Sequence, residues 1–390
     1  VLETVILSVE FGYNENEQIR RLMVDFRDMT NFCIQKAIQN KITSFCKLWH
    51  IIKDEIRRRW NYSTQYYVQA CRIACSILKS WRKRVKKGEA DPDDVPKVKR
   101  LFVKLHSSLF KFTGDRVRIT IRKGCRIWLD LKFGDYQKKF IEEWENGRLK
   151  IGEILITPDK VIVPFKKEVQ LIEPKQWLAI DINETNVTGV SSDGNFFVID
   201  TSEVKRVRHV YFEKRRRIQS GIKCGKRRRE LLAKYGRRES NRVKDILHKV
   251  SKTIVEFAKV RGCGIILEDL KGIRKRIDYN NVLNRRLHNG WSFHKLQYYI
   301  EYKAKLEGLP VVYVNPKNSS SLCPGCGRKL SPKGQRLMFC SKCNLIMNRD
   351  FVACLNLLKT KDVPVCVAGE RLPMNLREEL ICRNRKRKST

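Results

Sequence analysis

The sequence predicts an α/β protein of several domains, and three observations support this prediction. Apolar residues recur at helical spacing in one part of the chain and alternate with polar residues in another. Later segments follow the order β-hairpin, helix, strand, helix, strand, which suits a mixed sheet with helices on its faces. Two Cys-x-x-Cys pairs lie near the C-terminus. A chain of 390 residues has room for two or three domains of about 150 residues.

The N-terminal half predicts a small sheet interrupted by helices. The first dozen residues predict a strand, and helical spacing follows from Ile19 and again from Tyr67. The stretch 88–96 (GEADPDDVP) has the composition of a linker. Strand-like alternation then appears at 117–121, 127–133, 151–156 and 161–165. We therefore predict an antiparallel sheet or barrel from residues 1–18 and 97–172, split by a helical insertion of residues 19–96.

The C-terminal half predicts the mixed sheet. WLAIDI (177–182) is a short apolar strand, and the turn 191–194 leads into NFFVID as the second strand of a hairpin. A helical stretch covers residues 204–259. The buried strand GIILE ends at Glu268, and the amphipathic helix 291–306 precedes the strand PVVYV.

Three carboxylates occupy positions where chemistry is plausible. Asp181 closes the first strand of this sheet, Glu268 closes the GIILE strand, and Asp350 opens the helix RDFVACLNLL. Because the ends of central strands converge on one edge, these side chains could meet there and hold Mg²⁺, which prefers oxygen ligands. The alternative for each residue is an ordinary solvated carboxylate. Asp269 competes with Glu268, since adjacent strand residues point to opposite faces.

The two cysteine pairs predict a metal site. Cys323 and Cys326 form the first pair, Cys340 and Cys343 the second, and 13 residues separate the pairs. Four thiolates at this spacing indicate a structural Zn²⁺ site of the ribbon type, with no open position for catalysis. An iron–sulfur cluster and a redox pair are the alternatives. The remaining cysteines are scattered, as expected of buried thiols in a reducing compartment.

Positive charge dominates the composition and is densest at one place. The chain has 82 Lys and Arg against 42 Asp and Glu, a formal net charge of +40. Nucleic acid is the leading candidate partner, because each neutralised phosphate releases counterions. The stretch 205–244 holds 17 Lys and Arg against three Glu, a net +14. The residues predicted to contact nucleic acid are Arg215, Arg216, Arg217, Arg227, Arg228 and Arg229; the alternative for a charge run is a solvated face.

These features together resemble the TnpB (OrfB) family, transposon-encoded relatives of type V CRISPR nucleases. The matching stretches are AIDINETNVT around Asp181, IILEDL around Glu268, WSFHKLQYYIEYKAKLEGLPVVYV at 291–314, and NSSSLCPGCG followed by FCSKCNLIMNRDFVACLNLL within 318–358. The resemblance covers residues 175–360. The N-terminal half is similar to the family in layout only.

The resemblance implies an RNase H-like (RuvC) nuclease with an inserted zinc ribbon. Asp181, Glu268 and Asp350 would bind catalytic Mg²⁺, which favours Glu268 over Asp269. The family often has Gly at the position of Asn183 and Asn at the position of Val352. The implied domains are a wedge-like β-barrel (1–18 and 97–172), a recognition insertion (19–96), the nuclease (173–316 and 346–360), the ribbon (317–345) and a basic, disordered tail (361–390).

The resemblance also implies the partners and the reaction. The partners are a guide RNA and a double-stranded DNA target with a short flanking motif, and no small-molecule substrate is expected. No apolar run reaches the ~18 residues of a membrane span, so we expect no membrane partner and a cytoplasmic, nucleoid-associated protein. The expected activity is metal-dependent, RNA-guided cleavage of DNA. A DNA-joining transposase, a non-cleaving RNA-guided DNA binder and a simple zinc-ribbon binding module are the alternatives.

Overall fold

The computed structural model describes residues 2–270 and 293–361. Two compact units divide the chain. One unit is Thr4–Glu168, and the other is Val1–Glu3 together with the described part of Val169–Thr390.

The unit Thr4–Glu168 is built on an eight-stranded sheet. Its order is β2-β7-β8-β1-β5-β4-β3, with β6 paired to β8. Isoleucine, valine and leucine alternate with mostly polar residues in β4 and β5; five of these apolar residues, Val117, Ile119, Ile127, Leu129 and Leu131, are buried, and most residues between them are more exposed. The strands are β1 (Leu2–Tyr13), β2 (Val103–Leu105), β3 (Phe110–Phe112), β4 (Arg116–Arg122), β5 (Cys125–Lys132), β6 (Lys150–Ile151), β7 (Ile154–Thr157) and β8 (Lys160–Gln170).

Three long helices fall between β1 and β2 of this sheet. They are α1 (Glu17–Gln39), α2 (Phe45–Arg59) and α3 (Thr64–Lys86), and a fourth, α4 (Asp135–Glu145), follows β5. Asn16 caps α1 by accepting a hydrogen bond from the Ile19 amide at 3.1 Å. The apolar stripes of the helices share one core with the sheet. The helical residues thus interrupt the sheet where the sequence predicts an insertion, although the sequence analysis did not single out α2.

The other unit contains a five-stranded mixed sheet in the order β11-β10-β9-β12-β13. Its strands are β9 (Gln176–Ile182), β10 (Asn186–Ser191), β11 (Phe196–Asp200), β12 (Cys263–Glu268) and β13 (Val311–Val314). The first three pair antiparallel, whereas β12 runs parallel to both β9 and β13. The α/β character predicted from the sequence is therefore confirmed.

Helices cover both faces of this sheet. The helices α5 (Ser202–Gly221), α6 (Gly225–Val260) and α7 (Phe293–Leu306) follow β11 and β12 along the chain. The core on one face includes residues of α6 and α7, and the core on the other includes Phe351, Cys354 and Leu355 of α8 (Arg349–Lys359). Buried apolar residues of the sheet face one core or the other, because side chains alternate along a strand: Ile180 faces the first core and Ala179 the second.

A small three-stranded sheet lies between β13 and α8. It consists of β14 (Ser331–Pro332), β15 (Leu337–Cys340) and β16 (Leu345–Asn348). Its core is small and combines Cys323, Leu330 and Cys340 with Val352 of α8. Val352, where the family resemblance implies Asn, is fully buried here as an apolar contact between α8 and this small sheet.

Two sequence-based predictions require correction. WLAIDI does not pair with NFFVID, because β10 lies between them and pairs with both. The helical stretch predicted over 204–259 is two helices, which end and begin around Ile222–Cys224. Trp291, the predicted start of α7, and residues 362–390 of the predicted tail lie outside the described residues. Among the described helices, none is long and apolar enough to cross a membrane.

Candidate active site and metal cluster

The sheet brings Asp181 and Glu268 together through the pairing of two parallel strands. Leu267 of β12 lies opposite Ile180 of β9. The next residue along each strand is Glu268 and Asp181, so the two carboxylates are level with each other at the same sheet edge. Asp181 is 8% exposed, although a carboxylate is rarely buried without a partner.

Asp350 reaches the same place from the first turn of α8. Asn348 caps the helix by accepting a hydrogen bond from the Asp350 amide at 2.9 Å. The Asp350 carboxylate accepts two further hydrogen bonds at 2.9 Å, one from the Asn186 amide group and one from the Arg336 guanidinium. Asp350 is only 5% exposed, so these donors replace the water that it loses.

One cleft of about 560 Å³ contains all three carboxylates. Lys317 and Arg349 also line it, so two cations stand beside three anions. Asp269 is not among the lining residues. The complete lining is Asp181, Ile182, Asn183, Glu268, Leu270, Asn315, Pro316, Lys317, Ser319, Ser320, Arg349, Asp350 and Ala353. A cleft with this charge pattern has the groups to hold cations and to attract a phosphate.

Burial and mutual repulsion perturb two of the carboxylates. Burial, reinforced by the negative charge of Asp350, raises the pKa of Asp181 to about 6, although a hydrogen bond from Asn183 opposes the shift. Burial and the charge of Asp181 raise the pKa of Glu268 to about 7, and a hydrogen bond from Ser319 opposes it. Carboxylates with raised pKa values in a shared cleft gain from a bound cation, which removes the repulsion.

Two hydrogen bonds orient these side chains. The Asn183 amide group donates to Asp181 Oδ2 at 2.8 Å, and the Ser319 hydroxyl donates to Glu268 Oε1 at 2.9 Å. Asn183 stands where the family resemblance implies Gly, and in this chain its side chain contacts the carboxylate directly. The residue therefore supplies a donor that Gly lacks.

The four cysteines of the predicted metal site converge. Their sulfur atoms all lie within 4.8 Å of one another, so the cluster could bind a metal ion. Cys323 Sγ is 3.9 Å from Cys343 Sγ, and Cys326 Sγ is 3.5 Å from Cys340 Sγ. A Cβ added to Gly325 would lie 3.5 Å from one of these sulfur atoms and 3.7 Å from another, so the turn wraps closely around the cluster. Among the described residues, the three carboxylates do not converge so tightly.

The predicted nucleic-acid contacts differ in their surroundings. Arg215 forms an ion pair with Glu239, a residue of α6 that is only 8% exposed. Arg208 approaches the same carboxylate at 3.7 Å. By contrast, Arg216 and Arg217 of α5 and Arg227, Arg228 and Arg229 of α6 are exposed. The structure thus uses Arg215 to join the two helices, and the other five remain available to a partner.

Several residues around the carboxylates were not predicted from the sequence. Asn186, Ser319 and Arg336 bind them directly, and Lys317 lines the cleft. Asn186 and Ser319 fall within the stretches that resemble the family, but neither is charged. Proximity along the chain offers no signal, because the contacts of Asn186 and Ser319 join residues 164 and 51 positions apart.

Three family models match parts of the chain. The model described as "Probable transposase" matches residues 161–271, which include Asp181 and Glu268. The model described as "Cas12f1-like, TNB domain" matches residues 293–357, which include the cysteine cluster and Asp350. A third model, of the "Uncharacterized protein MJ0013 family", matches residues 22–120. The two models that contain the candidate site thus describe transposon and CRISPR-associated proteins.

Comparison with similar protein sequences identifies the family of this chain. A TnpB-like protein of Methanocaldococcus jannaschii is 44% identical over 270 residues, which cover 67% of this chain and 97% of that protein. The chain belongs to the TnpB family, as its sequence motifs indicate. It is also 35% identical over 113 residues to a CRISPR-associated endodeoxyribonuclease, Cas12f1, of Sulfoacidibacillus thermotolerans; these residues cover 28% of this chain and 25% of that protein.

A solved structure shares the fold over nearly the whole chain. It is the Cas12f1 protein in a complex with single guide RNA and target DNA, with a TM-score of 0.57 and 13% identity. The match covers 92% of this chain and 99% of that one. The likeness therefore extends beyond residues 175–360 into the N-terminal half, where the sequence resembled the family in layout only.

Proposed function

We propose that this protein is an RNA-guided DNA endonuclease that cuts with the three carboxylates of the cleft. The observation that carries the proposal is the meeting of Asp181, Glu268 and Asp350 in one cleft from a strand, a second strand and a helix start. Cas12f1, whose structure was solved with guide RNA and target DNA, supports the choice of RNA and DNA as partners.

The sheet supports a RuvC-like domain of the RNase H fold. Three antiparallel strands, β11, β10 and β9, continue into the parallel strands β12 and β13. Two of the carboxylates lie at the ends of neighbouring central strands, where ligands bind in such sheets. The N-terminal eight-stranded sheet would serve as the wedge-like barrel, and α1–α3 as the recognition insertion.

Divalent cations fit the carboxylate cleft. The raised pKa values of Asp181 and Glu268 indicate carboxylates that lack enough compensating positive charge. We propose that Asp181, Glu268 and Asp350 would hold Mg²⁺, which prefers oxygen ligands. Such ions supply activation of water and stabilisation of charge on the leaving oxygen. Asn183 and Asn186 would orient the carboxylates, and Lys317 and Arg349 would attract the phosphate.

Zinc is the metal that suits the cysteine cluster. Four thiol ligands from two Cys-x-x-Cys pairs match a closed, tetrahedral structural site. The site would hold the three small strands β14–β16 together, since their apolar core is too small to do so alone. We propose that this zinc has a structural role and that the carboxylates alone bind the ions used for cutting. The proposal also puts the protein in the cytoplasm, beside the nucleoid DNA that it would cut.

Cleavage by carboxylate variants tests the proposal. The full chain is purified with the RNA that it binds in cells, and that RNA is sequenced to choose a DNA target. Asp181→Ala, Glu268→Ala and Asp350→Ala should each abolish Mg²⁺-dependent cutting while target binding persists. Asp269→Asn is the matched control, because Asp269 follows Glu268 directly but does not line the cleft. Near-normal cutting by Asp350→Ala would refute the assignment of the site.

Removal of the RNA separates the alternatives. RNase-treated protein should lose sequence-specific cutting, and a new guide should redirect it. If the RNA-free protein still cuts one DNA sequence, it reads DNA directly, as a DNA-joining transposase would. If the protein binds RNA and target but never cuts, it is an RNA-guided binder.

A further inference from the structure

The segment between β13 and the first cysteine pair forms one wall of the carboxylate cleft. It contains three consecutive serines, and each has a different environment. The Ser319 hydroxyl donates to Glu268 Oε1 at 2.9 Å. Ser320 lines the cleft. The Ser321 hydroxyl donates to the carbonyl of Asn318 at 3.3 Å, within its own turn.

The backbone around Ser319 is anchored to the helix that carries Asp350. The Asn356 amide group of α8 donates to the carbonyl of Ser319 at 2.6 Å and to that of Leu322 at 2.8 Å. A turn precedes this anchor, in which the Ser319 amide donates to the carbonyl of Pro316 at 3.1 Å. Asn318, at the centre of the turn, has a φ of 66°, in the left-handed region. The serine hydroxyl is therefore presented from a fixed backbone.

Glu268 needs such a fixed donor because its side chain is longer than that of aspartate. Its backbone carbonyl accepts a hydrogen bond from the Gln297 amide group at 2.7 Å, which holds the main chain. Over residues 2–270 and 293–361, Ser319 supplies the one hydrogen bond seen to its carboxylate. Without this bond the carboxylate could rotate about its side-chain torsions, and its oxygens would leave the orientation that a cation requires.

We propose that Ser319 is a positioning residue, which holds the Glu268 carboxylate in the orientation that binds the catalytic cation. This inference rests on the proposed nuclease function and adds a residue to it. It also assigns the cysteine ribbon a role in orienting the carboxylates, in addition to binding a metal ion. The loop that leads into the first cysteine pair orients one carboxylate, while Arg336 of the same ribbon contacts another at 2.9 Å.

Cleavage measured against Mg²⁺ concentration tests the role. The full chain with its RNA is assayed in single turnover, and zinc content and RNA binding are measured for every variant. Ser319→Ala should lower the apparent Mg²⁺ affinity or the saturating rate roughly 10- to 100-fold, as loss of a carboxylate's orienting partner does. Ser319→Thr should restore both quantities. Ser319→Val, which has the shape of threonine without a hydroxyl, should behave as Ser319→Ala does.

Ser321→Ala is the matched control, since it removes a neighbouring hydroxyl whose hydrogen bond, among the described residues, is to its own turn. It should cleave as the unmodified chain does. The inference is overturned if Ser319→Val retains the metal dependence and rate of Ser319→Thr. If Ser319→Ala loses its zinc, the comparison of Ser319→Thr with Ser319→Val still tests the role of the hydroxyl. Threonine and valine fill the same space and differ in that group.

A second measurement does not depend on DNA cleavage. Fe²⁺ replaces Mg²⁺ in the RNA-bound protein, and ascorbate with peroxide then generates radicals that cut the polypeptide near bound iron. The unmodified chain should be cut near residues 181, 268 and 350, and Ser319→Val should lose this cutting while Ser319→Thr keeps it. An unchanged cutting pattern in Ser319→Val contradicts the inference. If the unmodified chain never cuts DNA, the proposed nuclease function fails, yet the iron experiment still tests Ser319.

Discussion

At the scale of single residues, the two aspartates and the glutamate each depend on a different donor. Asp350 shares Arg336 with Asn186, because the guanidinium lies 2.9 Å from an oxygen of each. Arg336 has a φ of 60°, so its backbone also adopts the left-handed region. This arginine places a positive charge beside the Asp350 carboxylate.

Replacing Arg336 should make the protein more dependent on metal for its stability. Arg336→Ala leaves a carboxylate that is 5% exposed without its cation, so we expect a loss of about 1 kcal/mol in unfolding free energy. Added Mg²⁺ should raise the melting temperature of this variant more than that of the unmodified chain. Thermal melts with and without Mg²⁺ measure this, and Lys333→Ala on the same ribbon is the control. Equal Mg²⁺ responses would contradict the prediction.

Sequence patterns predicted the three carboxylates of the site but neither their polar partners nor the cationic residues around them. A strand end or a helix start marks where a carboxylate can act, and resemblance to the family selected Glu268 over Asp269. No comparable sequence feature distinguishes the donors Asn186 and Ser319, because asparagine and serine are common in turns and at strand ends. Their role follows only from packing, which brings together residues far apart in the chain.

At the scale of the secondary-structure elements, α5 and α6 combine a structural ion pair with an exposed basic surface. Glu239 of α6 is buried and pairs with Arg215 of α5. Tyr211 and Tyr235 approach each other between the helices, with ring centroids 6.4 Å apart, and Lys214 lies over both rings. These contacts fix the two helices against each other, and the exposed arginines project from a rigid support.

Two sets of substitutions should distinguish arginines that stabilise the helix pair from arginines that bind RNA. Arg216→Glu with Arg217→Glu should weaken RNA binding and lower the salt slope by about one per lost phosphate contact. Arg215→Ala should instead lower the unfolding free energy by roughly 1–3 kcal/mol, because Glu239 loses a partner. RNA titrations at several salt concentrations, together with thermal melts, measure both effects. An Arg215→Ala variant that weakens RNA binding at unchanged stability would assign this arginine to the RNA.

The strand β10 was not predicted from the sequence because its apolar periodicity is weak. The strand β10 reads NVTGVS, in which Thr, Gly and Ser dilute the apolar alternation. A Cβ added to Gly189 would lie 2.3 Å from the ring of Phe197, so a side chain at this position would force that ring to move. In the structure this strand pairs along its length with both β9 and β11, which lie on either side of it. Longer elements with clear periodicity, such as α1 and α3, were predicted because their own apolar stripes define them.

At the scale of the whole molecule, the net charge of +40 acts on stability as well as on binding. The charges repel one another in the compact state, and added salt screens that repulsion. The melting temperature of the RNA-free protein should therefore rise as sodium chloride is added to a low-salt buffer. With RNA bound, salt should lower it, because salt releases RNA that stabilises the folded chain.

A series of melts in sodium chloride, with and without RNA, measures these opposite trends. Potassium acetate at equal ionic strength serves as the control, since screening does not depend on the identity of the ion. A melting temperature of the RNA-free protein that falls throughout the series would mean that self-repulsion does not limit its stability.

The order of the three carboxylates along the chain has a consequence for synthesis. Asp350 comes from α8, which packs beside β9 and β10, and this aspartate follows Asp181 by 169 residues in the printed sequence. A growing chain therefore completes the exposed arginines of α5 and α6 long before it completes the cleft. A premature stop codon before position 350 would produce a polypeptide with the basic helices but without the full carboxylate set. Under the proposed function, translation would complete the cutting site last, after the basic helices that we propose bind RNA.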